Sequence, residues 1–252
     1  MRRLVVLPLL ASALAACGSQ RTAAPAAVHP VLAAHAPHCA AGTLRPLGSR
    51  AVAFAAEAPN GAVAFARPGG AVVGRFGRVN VNGYPTVFGV LAAVVRRDCS
   101  AAWYRVQIPM KPNGATAYVR ARSVRLARVS TRIVVDVSAR RLVLYRAGRP
   151  ILRTPVAVGA PATPTPLGRY YVNQRLVPED PNGPYGPAAL GISAFSNVLT
   201  GWTQGGPIAI HGTDEPWSIG RAASNGCVRV PNATLRRVFR IAVAGTPVII
   251  RS

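Results

Sequence analysis

The sequence predicts a mostly β protein with two compact domains and one short helix. Its apolar runs are short and rich in β-branched or aromatic residues, as in Ile133–Val137 and Leu142–Tyr145. The chain also holds 24 glycines and 23 prolines, which separate such runs by turns. Roughly 210 residues follow the first forty, more than the about 150 residues of a typical single core, so two domains are expected.

The first residues, MRRLVVLPLLASALAACGSQ, have the pattern of an exported protein. Arg2 and Arg3 precede an apolar run, which predicts a signal peptide over residues 1–16. The run from position 4 to 16 has 13 residues, fewer than the about 20 that a helix needs to span a bilayer. The residues that end in Cys17 resemble the lipobox of bacterial lipoproteins, which implies acylation of its sulfur and an extracytoplasmic, lipid-anchored protein facing the cell wall. The alternative is a plain secretory signal that ends near a cysteine.

Residues 17–38 predict a flexible tether. The segment is rich in alanine and proline and has no aromatic residue to bury. His29, His35 and His38 could suggest a metal-binding tract, but their irregular spacing favours scattered histidines in a tether. We therefore predict no metal site and no cofactor.

The charge balance predicts an anionic partner. Thirty Lys and Arg residues face seven Asp and Glu residues, for a formal net charge of +23. Nucleic acid is the usual partner of such a basic chain, but the predicted export leaves anionic wall polymers and lipid headgroups as the available polyanions. An arginine bias of the source genome is the alternative.

We do not predict two disulfides from the four cysteines, although an oxidising compartment would favour that interpretation. Cys17 is assigned to lipid. Cys39 and Cys99 flank the first predicted domain, where a bridge would close a loop of about 60 residues and contribute about 4 kcal/mol. Cys227 is left over. An unpaired thiol outside the cell is either incidental or a nucleophile, and its surroundings decide between the two.

Residues 39–128 predict a small β barrel. Short apolar stretches at Val52–Ala56, Phe88–Arg96 and Trp103–Pro109 are separated by Gly, Pro and Asn turns. The segment WYRVQIPMKPNGATAYVRARSVRL resembles the bacterial SH3-like modules that accompany wall enzymes, which implies a docking or spacing role. We interpret Trp103 and Tyr104 themselves as core aromatics.

Residues 129–252 predict the second domain, with the pattern changing near Arg128–Ser130. The apolar runs Ile133–Val137 and Leu142–Tyr145 are joined by a short turn and predict a hairpin. Leu235, Val238, Phe239 and Ala242 have helical spacing. Asn232 is a suitable N-cap for that helix, Gly245 would close it, and a last strand is expected at Val248–Ile250.

Four segments of this domain resemble the L,D-transpeptidases of the YkuD type, and they occur in that family's order. They are TPTPLGRYYV (Thr163–Val172), PYGPAALGISAF (Pro184–Phe195), IAIHGT (Ile208–Thr213) and SNGCVRVPN (Ser224–Asn232). The resemblance implies a β sandwich with a cysteine nucleophile that remodels peptidoglycan stem peptides.

The residues themselves point to the same chemistry. A thiol nucleophile needs a base, and His211 is the only histidine after His38, so it is the candidate partner of Cys227. An adjacent imidazole would raise the thiolate fraction and later protonate the leaving amine. In the resembling family the carbonyl at the position of Gly212 orients the imidazole. The alternative is a buried, hydrogen-bonded histidine near an inert cysteine.

The segment Ser224–Cys227 supplies the second requirement. Gly226 allows a tight turn, and we predict that the N–H groups of Gly226 and Cys227 face the developing oxyanion. Arg229 would point to the same side as Cys227 and suits a substrate carboxylate, unless it is one more solvated arginine.

One position departs from the family's better-known Ser-His-Gly-Cys form, because Asn225 stands where a second histidine would be. We predict that His211 is the single base and that Asn225 holds the loop by hydrogen bonds. Tyr185 and Trp217 are aromatic candidates for the wall of the cleft, although aromatics beside glycine and proline are as often packing residues.

The reaction that the resemblance implies is acyl transfer between stem peptides through a thioester. We also expect a monomer and no nucleic-acid partner. An L,D-carboxypeptidase and a catalytically inactive wall-binding lipoprotein are the alternatives. A zinc amidase would need several histidine or cysteine ligands, and the second domain offers only His211 and Cys227. A glycosidase would need two facing carboxylates, whereas Glu179-Asp180 and Asp214-Glu215 are adjacent pairs in loops.

Overall fold

The computed structural model describes residues 38–252 apart from residue 202. That part of the chain contains eighteen strands and one α-helix, which confirms the mostly β fold class. The predicted signal peptide, the predicted lipidation site Cys17 and residues 17–37 of the predicted tether lie outside the described residues. Among the residues that are described, no helix is long and apolar enough to cross a membrane.

The first sheet contains eight strands. They are β1 (Leu44–Pro46), β2 (Ala53–Glu57), β3 (Ala62–Phe65), β4 (Val72–Phe76), β5 (Val87–Val95), β6 (Ala101–Gln107), β7 (Thr116–Arg120) and β8 (Arg125–Val129). Pairing runs in the order β4-β3-β7-β6-β5-β2-β8, and β1 also pairs with β5. The central strand β5 is buried at all but one position, which explains its nearly continuous apolar sequence. Phe88, Val106 and Val119 are fully buried in the core of this sheet.

A disulfide and a stacked cluster of rings support the first sheet. Cys39 and Cys99 are bridged with their Cα atoms 5.1 Å apart, which ties the start of the described chain to the turn between β5 and β6. Trp103 meets Phe65 edge to face at 5.4 Å, and the Arg120 guanidinium lies 4.7 Å from the centre of the Trp103 ring. Both aromatics of Trp103-Tyr104 are partly buried, and Tyr104 packs against the core.

The second sheet also contains eight strands. They are β9 (Thr131–Asp136), β10 (Arg141–Arg146), β11 (Arg149–Pro155), β13 (Gly168–Leu176), β14 (Ala189–Phe195), β15 (Pro207–His211), β17 (Val228–Arg229) and β18 (Pro247–Arg251). Their order is β11-β10-β9-β18-β13-β14-β15-β17. A separate parallel pair joins β12 (Val158–Gly159) to β16 (Ala222–Ser224). The predicted hairpin is confirmed as the antiparallel pair β9–β10.

Strand β13 changes partner along its length. It pairs with β18 over Gly168–Tyr171 and with β14 over Val172–Leu176, and the register shifts between Val172 and Gln174. A register shift of this kind bends a strand and lets a sheet fold over its own core. Both halves of the second sheet accordingly contribute to one core cluster, which includes Leu142 from β10 and Ile210 from β15.

The helix α1 (Asn232–Ile241) packs Leu235 and Val238 into this core. The sequence prediction was wrong about both ends of this helix. The N-cap position is Pro231, and the Asn232 side chain binds the backbone of Thr213 instead of capping the helix. The helix ends at Ile241, and Gly245 lies in the turn towards β18, where its φ of +83° requires glycine.

The two sheets touch closely inside the unit formed by residues 37–252. The chain passes from β8 to β9 at Ser130, and the sheets are joined by more than this connection. The Tyr171 ring lies so close to Gly89 that a Cβ on this glycine would be 2.9 Å from the ring. The amides of Asn80 and Asn82 donate to the side-chain oxygen of Gln174 at 2.7 and 2.9 Å. These contacts hold β13 and its neighbour β14 against the first sheet.

Candidate active site

Two parallel strands bring His211 and Cys227 together. His211 is the last residue of β15, and Cys227 immediately precedes β17, which pairs with β15 in parallel with Ile210 opposite Val228. The Cys227 sulfur accepts a hydrogen bond from the Ala209 N–H at 3.4 Å. Both side chains line a pocket of about 220 Å³ together with Pro184, Tyr185, Ser224, Asn225 and Arg229. The segments Pro184–Phe195, Ile208–Thr213 and Ser224–Asn232 therefore all contribute to this pocket.

His211 is oriented by the backbone carbonyl of Gly212. The side chain is 4% exposed, and its Nδ1 donates to the Gly212 oxygen at 2.5 Å, because a carbonyl can only accept. The proton therefore lies on Nδ1, and the Nε2 lone pair is free to accept another. The Tyr185 ring packs edge-on against the imidazole with ring centres 5.1 Å apart.

Burial determines the protonation of both groups. Desolvation lowers the pKa of His211 to about 4, against the opposing hydrogen bond to Gly212, while Arg229 lowers it further and Asp214 raises it. Desolvation also raises the pKa of the Cys227 thiol, although the Ala209 N–H and Arg229 act in the other direction. Both shifts favour a thiol beside a neutral imidazole at neutral pH, whereas the sequence interpretation expected the imidazole to raise the thiolate fraction.

The side chain of Ser224 holds the loop that presents Cys227. Its hydroxyl donates to the Cys227 carbonyl at 2.6 Å and accepts the Gly226 N–H at 3.1 Å. The Gly226 φ of +110° favours glycine, and a Cβ there would lie 3.0 Å from the Ile208 side chain. The Gly226 N–H is used inside the loop, which leaves the Cys227 N–H as the other predicted oxyanion donor.

A second turn supports this loop from below. Ala160 N and Thr163 Oγ1 both donate to the Ser224 carbonyl, at 2.8 and 2.9 Å. The Thr165 hydroxyl in turn accepts the Gly159 N–H at 2.8 Å. The motif TPTPLG was recognised in the sequence without a role. The structure places it as the support of the loop that presents Cys227.

Arg229 reaches the pocket but is already paired with a carboxylate. Its Nη1 donates to Glu215 Oε2 in a close ion pair, in which the Arg229 side chain is 18% exposed and the Glu215 side chain 42%. Sequence reasoning considered Glu215 only as a loop carboxylate. Its spacing from Arg229 in the chain gave no sign of the contact.

The two aromatic candidates differ in position. Tyr185 lines the pocket and is 53% exposed. Trp217 lies on a single 3₁₀ turn, Pro216–Ser218, and is 58% exposed, with the Arg221 guanidinium 5.8 Å from its ring centre. It does not line the pocket, so the structure does not support the predicted place of Trp217 in the cleft wall.

Asn225 lines the pocket without holding the loop. Asn225 is exposed, and the side-chain hydrogen bonds that fix the loop Ser224–Cys227 come from Ser224. Over residues 38–252, residue 202 apart, no cluster of three or more His, Cys, Asp or Glu side chains is placed to hold a metal ion.

Comparison with known proteins finds similarity in the region of the second sheet. Residues 130–250 match the YkuD family, described as the L,D-transpeptidase catalytic domain. Curated relatives named putative L,D-transpeptidase YkuD occur in Bacillus licheniformis and Bacillus subtilis. The first is 35% identical over 119 residues, which are 47% of this chain and 64% of the relative. The second is 35% identical over 118 residues with the same coverage, so the match spans less than two thirds of either relative.

Solved structures of L,D-transpeptidases are also similar in part. A mutant of the Enterococcus faecium L,D-transpeptidase is 26% identical with a TM-score of 0.36, covering 48% of this chain and 49% of that chain. An L,D-transpeptidase from Mycobacterium smegmatis is 18% identical with a TM-score of 0.40, covering 67% of this chain and 92% of that chain.

Proposed function

We propose that this protein is an extracytoplasmic L,D-transpeptidase that crosslinks peptidoglycan stem peptides through a thioester on Cys227. The observation that carries the proposal is the shared pocket of Cys227 and His211, inside the region that matches the L,D-transpeptidase catalytic domain. The orientation of His211 supports it, because the nitrogen opposite the Gly212 contact can accept the thiol proton.

In the first half-reaction Cys227 attacks the carbonyl of the L-centred diamino acid in a donor tetrapeptide. His211 Nε2 takes the thiol proton as the C–S bond forms, and the oxyanion is met by the Cys227 N–H. The resulting imidazolium then gives its proton to the amine of the terminal D-alanine, which leaves as the thioester forms. The neutral resting pair suits this order, since the proton moves during attack and not before it.

In the second half-reaction an acceptor amine attacks the thioester. His211 removes the proton of that amine and returns a proton to the Cys227 sulfur, so that the free enzyme is restored. Transfer to the amine of another stem gives a crosslink, whereas water in its place gives a shortened peptide.

Arg229 is the proposed site for the substrate carboxylate. Glu215 engages Nη1 of its guanidinium, and a planar guanidinium carries five N–H donors in all, so further donors remain for a second carboxylate. Tyr185 and Asn225 complete the wall of the pocket and contact the stem peptide in this proposal.

The rest of the chain fits a wall-associated enzyme. We assign residues 1–16 to a signal peptide, Cys17 to a lipid anchor and residues 17–38 to a tether. Residues 39–128 form an SH3-like docking or spacing module before the catalytic region 129–252. The excess of basic residues, with a formal charge of +23, favours contact with anionic wall polymers, and we propose a monomer.

Incubation of the purified protein with disaccharide tetrapeptides tests the proposal. Mass spectrometry should show crosslinked dimers and free D-alanine, together with a protein adduct on Cys227. The matched variant Cys227→Ser should form neither product nor a carbapenem adduct, while keeping the unfolding temperature of the natural protein. If shortened peptides formed without dimers, the protein would be a carboxypeptidase that transfers the acyl group to water. If no adduct formed at all, the protein would be a wall-binding protein without catalytic activity.

A further inference from the structure

The first residue of α1 clamps the peptide that orients the candidate base. Asn232 Oδ1 accepts the Thr213 N–H at 2.8 Å, and its Nδ2 donates to the Thr213 carbonyl at 3.0 Å. One side-chain amide therefore satisfies the donor and the acceptor of a single loop residue. Backbone outside regular structure has no ladder to fix it, so this clamp sets the path of the loop after β15.

The clamped N–H and the carbonyl that meets His211 belong to the same peptide unit. The N–H of Thr213 and the C=O of Gly212 lie on either side of one C–N bond, which is planar and trans. Their directions are therefore opposite and fixed relative to one another. A hydrogen bond from the Thr213 N–H to Asn232 thus aims the Gly212 oxygen at Nδ1 of His211.

Close packing removes any freedom from this arrangement. A Cβ on Gly212 would overlap Asn232 Oδ1 and lie 2.8 Å from the Pro187 ring. A Cβ on Gly186 would lie 2.7 Å from the Gly212 Cα and 2.8 Å from the Thr213 nitrogen. Glycine at these positions is what lets the Asn232 amide reach the backbone, a requirement that sequence reasoning did not attach to Gly212.

From this geometry we infer that Asn232 is a positioning residue, which holds His211 in the tautomer with the proton on Nδ1 by aiming the Gly212 carbonyl. Only the catalytic consequence of the inference depends on the proposed function. The clamp and the tautomer are properties of the folded protein and can be measured without any substrate.

The first test is the tautomer of His211 at neutral pH, read from the ¹⁵N chemical shifts of labelled histidine in the full chain. The natural protein should show a protonated Nδ1 and an unprotonated Nε2. Asn232→Leu removes both hydrogen bonds in nearly the same volume, so the two tautomers should mix. Unchanged nitrogen shifts in Asn232→Leu would overturn the inference.

Asn113 offers a control that does not line the pocket. Its Nδ2 donates to the Phe195 carbonyl at 2.7 Å and its Oδ1 accepts the Phe195 N–H at 2.8 Å, as in the clamp on Thr213, and its Nδ2 also donates to Asn197 Oδ1 at 3.2 Å. Asn113→Leu should lower the unfolding temperature to a similar degree without changing the nitrogen shifts of His211. An equal change of tautomer in both variants would mean that general destabilisation of the fold is responsible, and not the direction of the Gly212 carbonyl.

Asn232→Asp keeps the inference testable if Asn232→Leu does not fold. A carboxylate can still accept the Thr213 N–H but cannot donate to the Thr213 carbonyl. The tautomer should therefore be retained in Asn232→Asp, and its loss would contradict the inference. The charged or titratable groups that face His211 are Arg229, Asp214, Cys227 and Tyr185, and all of them are kept in these variants, whereas Asn232→Asp alone adds a carboxylate.

The rate of Cys227 alkylation by iodoacetamide gives the kinetic readout. A misplaced base should lower this rate in Asn232→Leu by up to about 10²-fold, with Asn232→Asp closer to the natural protein. Alkylation needs no stem peptide, so an inactive natural protein with a normal tautomer shift would refute the proposed function and leave the positioning role standing. An alkylation rate that Asn232→Leu does not change would refute the positioning role alone.

Discussion

Single residues at the pocket owe their chemistry to burial. His211 is almost completely enclosed and keeps one hydrogen bond, to Gly212. Burial of the charged imidazole costs more free energy than the hydrogen bond to Gly212 contributes, so the pKa of His211 falls to about 4. A base with such a low pKa is neutral throughout the physiological range. It is ready to accept a proton but holds none beforehand.

The pH dependence of acylation follows from this shift. His211 can act as a base only when it is neutral, so the acylation rate should rise with pH through about 4 and then stay level to neutral pH. Because burial raises the pKa of Cys227, thiolate formation should add to the rate only above the ordinary value of 9.0. Carbapenem acylation followed by mass spectrometry across the pH range measures the profile, and His211→Ala should lower the level region by about 10²–10⁴-fold. A midpoint near the ordinary histidine value of 6.5 would show that the imidazole is solvated when it reacts.

Ser224 and Asn225 should differ in their effects although they are neighbours. Ser224 is buried and makes two hydrogen bonds within the loop that presents Cys227, so Ser224→Ala should destabilise the protein by about 1–3 kcal/mol and slow acylation. Asn225 is exposed, so Asn225→Ala should have a small effect, and Asn225→His should remain active. Thermal unfolding and acylation rates of the three variants test this. If only the Asn225→His variant were active, the prediction that His211 is the single base would be refuted.

At the scale of elements, the ion pair between the loop after β15 and strand β17 should tune substrate affinity. Glu215 occupies one donor of Arg229, so Glu215→Gln should lower KM for a tetrapeptide with a free carboxylate by up to about 5-fold, with kcat unchanged. Glu179→Gln is a matched control, because Glu179 is also an exposed carboxylate in a loop. Steady-state kinetics separate the two constants. A higher KM in Glu215→Gln would mean that Glu215 orients Arg229 and does not compete for it.

Elements with strong local signals could be predicted from the sequence, and those built by distant contacts could not. The β9–β10 hairpin and the apolar face of α1 follow from periodicity over a few residues. The parallel pairing of β15 with β17 joins strands with a loop, a 3₁₀ turn and another strand between them, and no local pattern predicted it. Asn232 was misassigned because an asparagine before a helix is usually a cap, whereas here its amide has better partners in Thr213.

The candidate site was predicted by residue type more reliably than by contact. His211 and Cys227 could be paired because the second domain offers one imidazole and one thiol. The pairing of the Gly226 N–H with Ser224, and of Arg229 with Glu215, depends on side-chain directions that no spacing rule gives. The same limit applies to Trp217, which follows the base in sequence and yet lies outside the pocket.

At the scale of the whole molecule, the disulfide should stabilise the protein without affecting the pocket. The bridge closes a loop of 60 residues in the first sheet, so Cys39→Ser with Cys99→Ser should lower the free energy of unfolding by about 4 kcal/mol. Cys227 lies next to β17 of the second sheet and should be acylated at the same rate. Denaturant unfolding and carbapenem acylation of the same variant test both statements. A large loss of acylation would show that the first sheet transmits its stability to the nucleophile.

The close contact between the sheets also bears on the order in which the chain can fold. Gly89 lies against the Tyr171 ring, and a Cβ on Gly245 would be 3.2 Å from the Ala55 Cα, so each sheet presents a surface shaped to the other. The first sheet ends at Val129 and the second begins at Thr131, so every strand of the first sheet precedes the second sheet in the chain. When the chain emerges from its N-terminal end, the surface on which β13 and β18 pack is therefore available before those strands are.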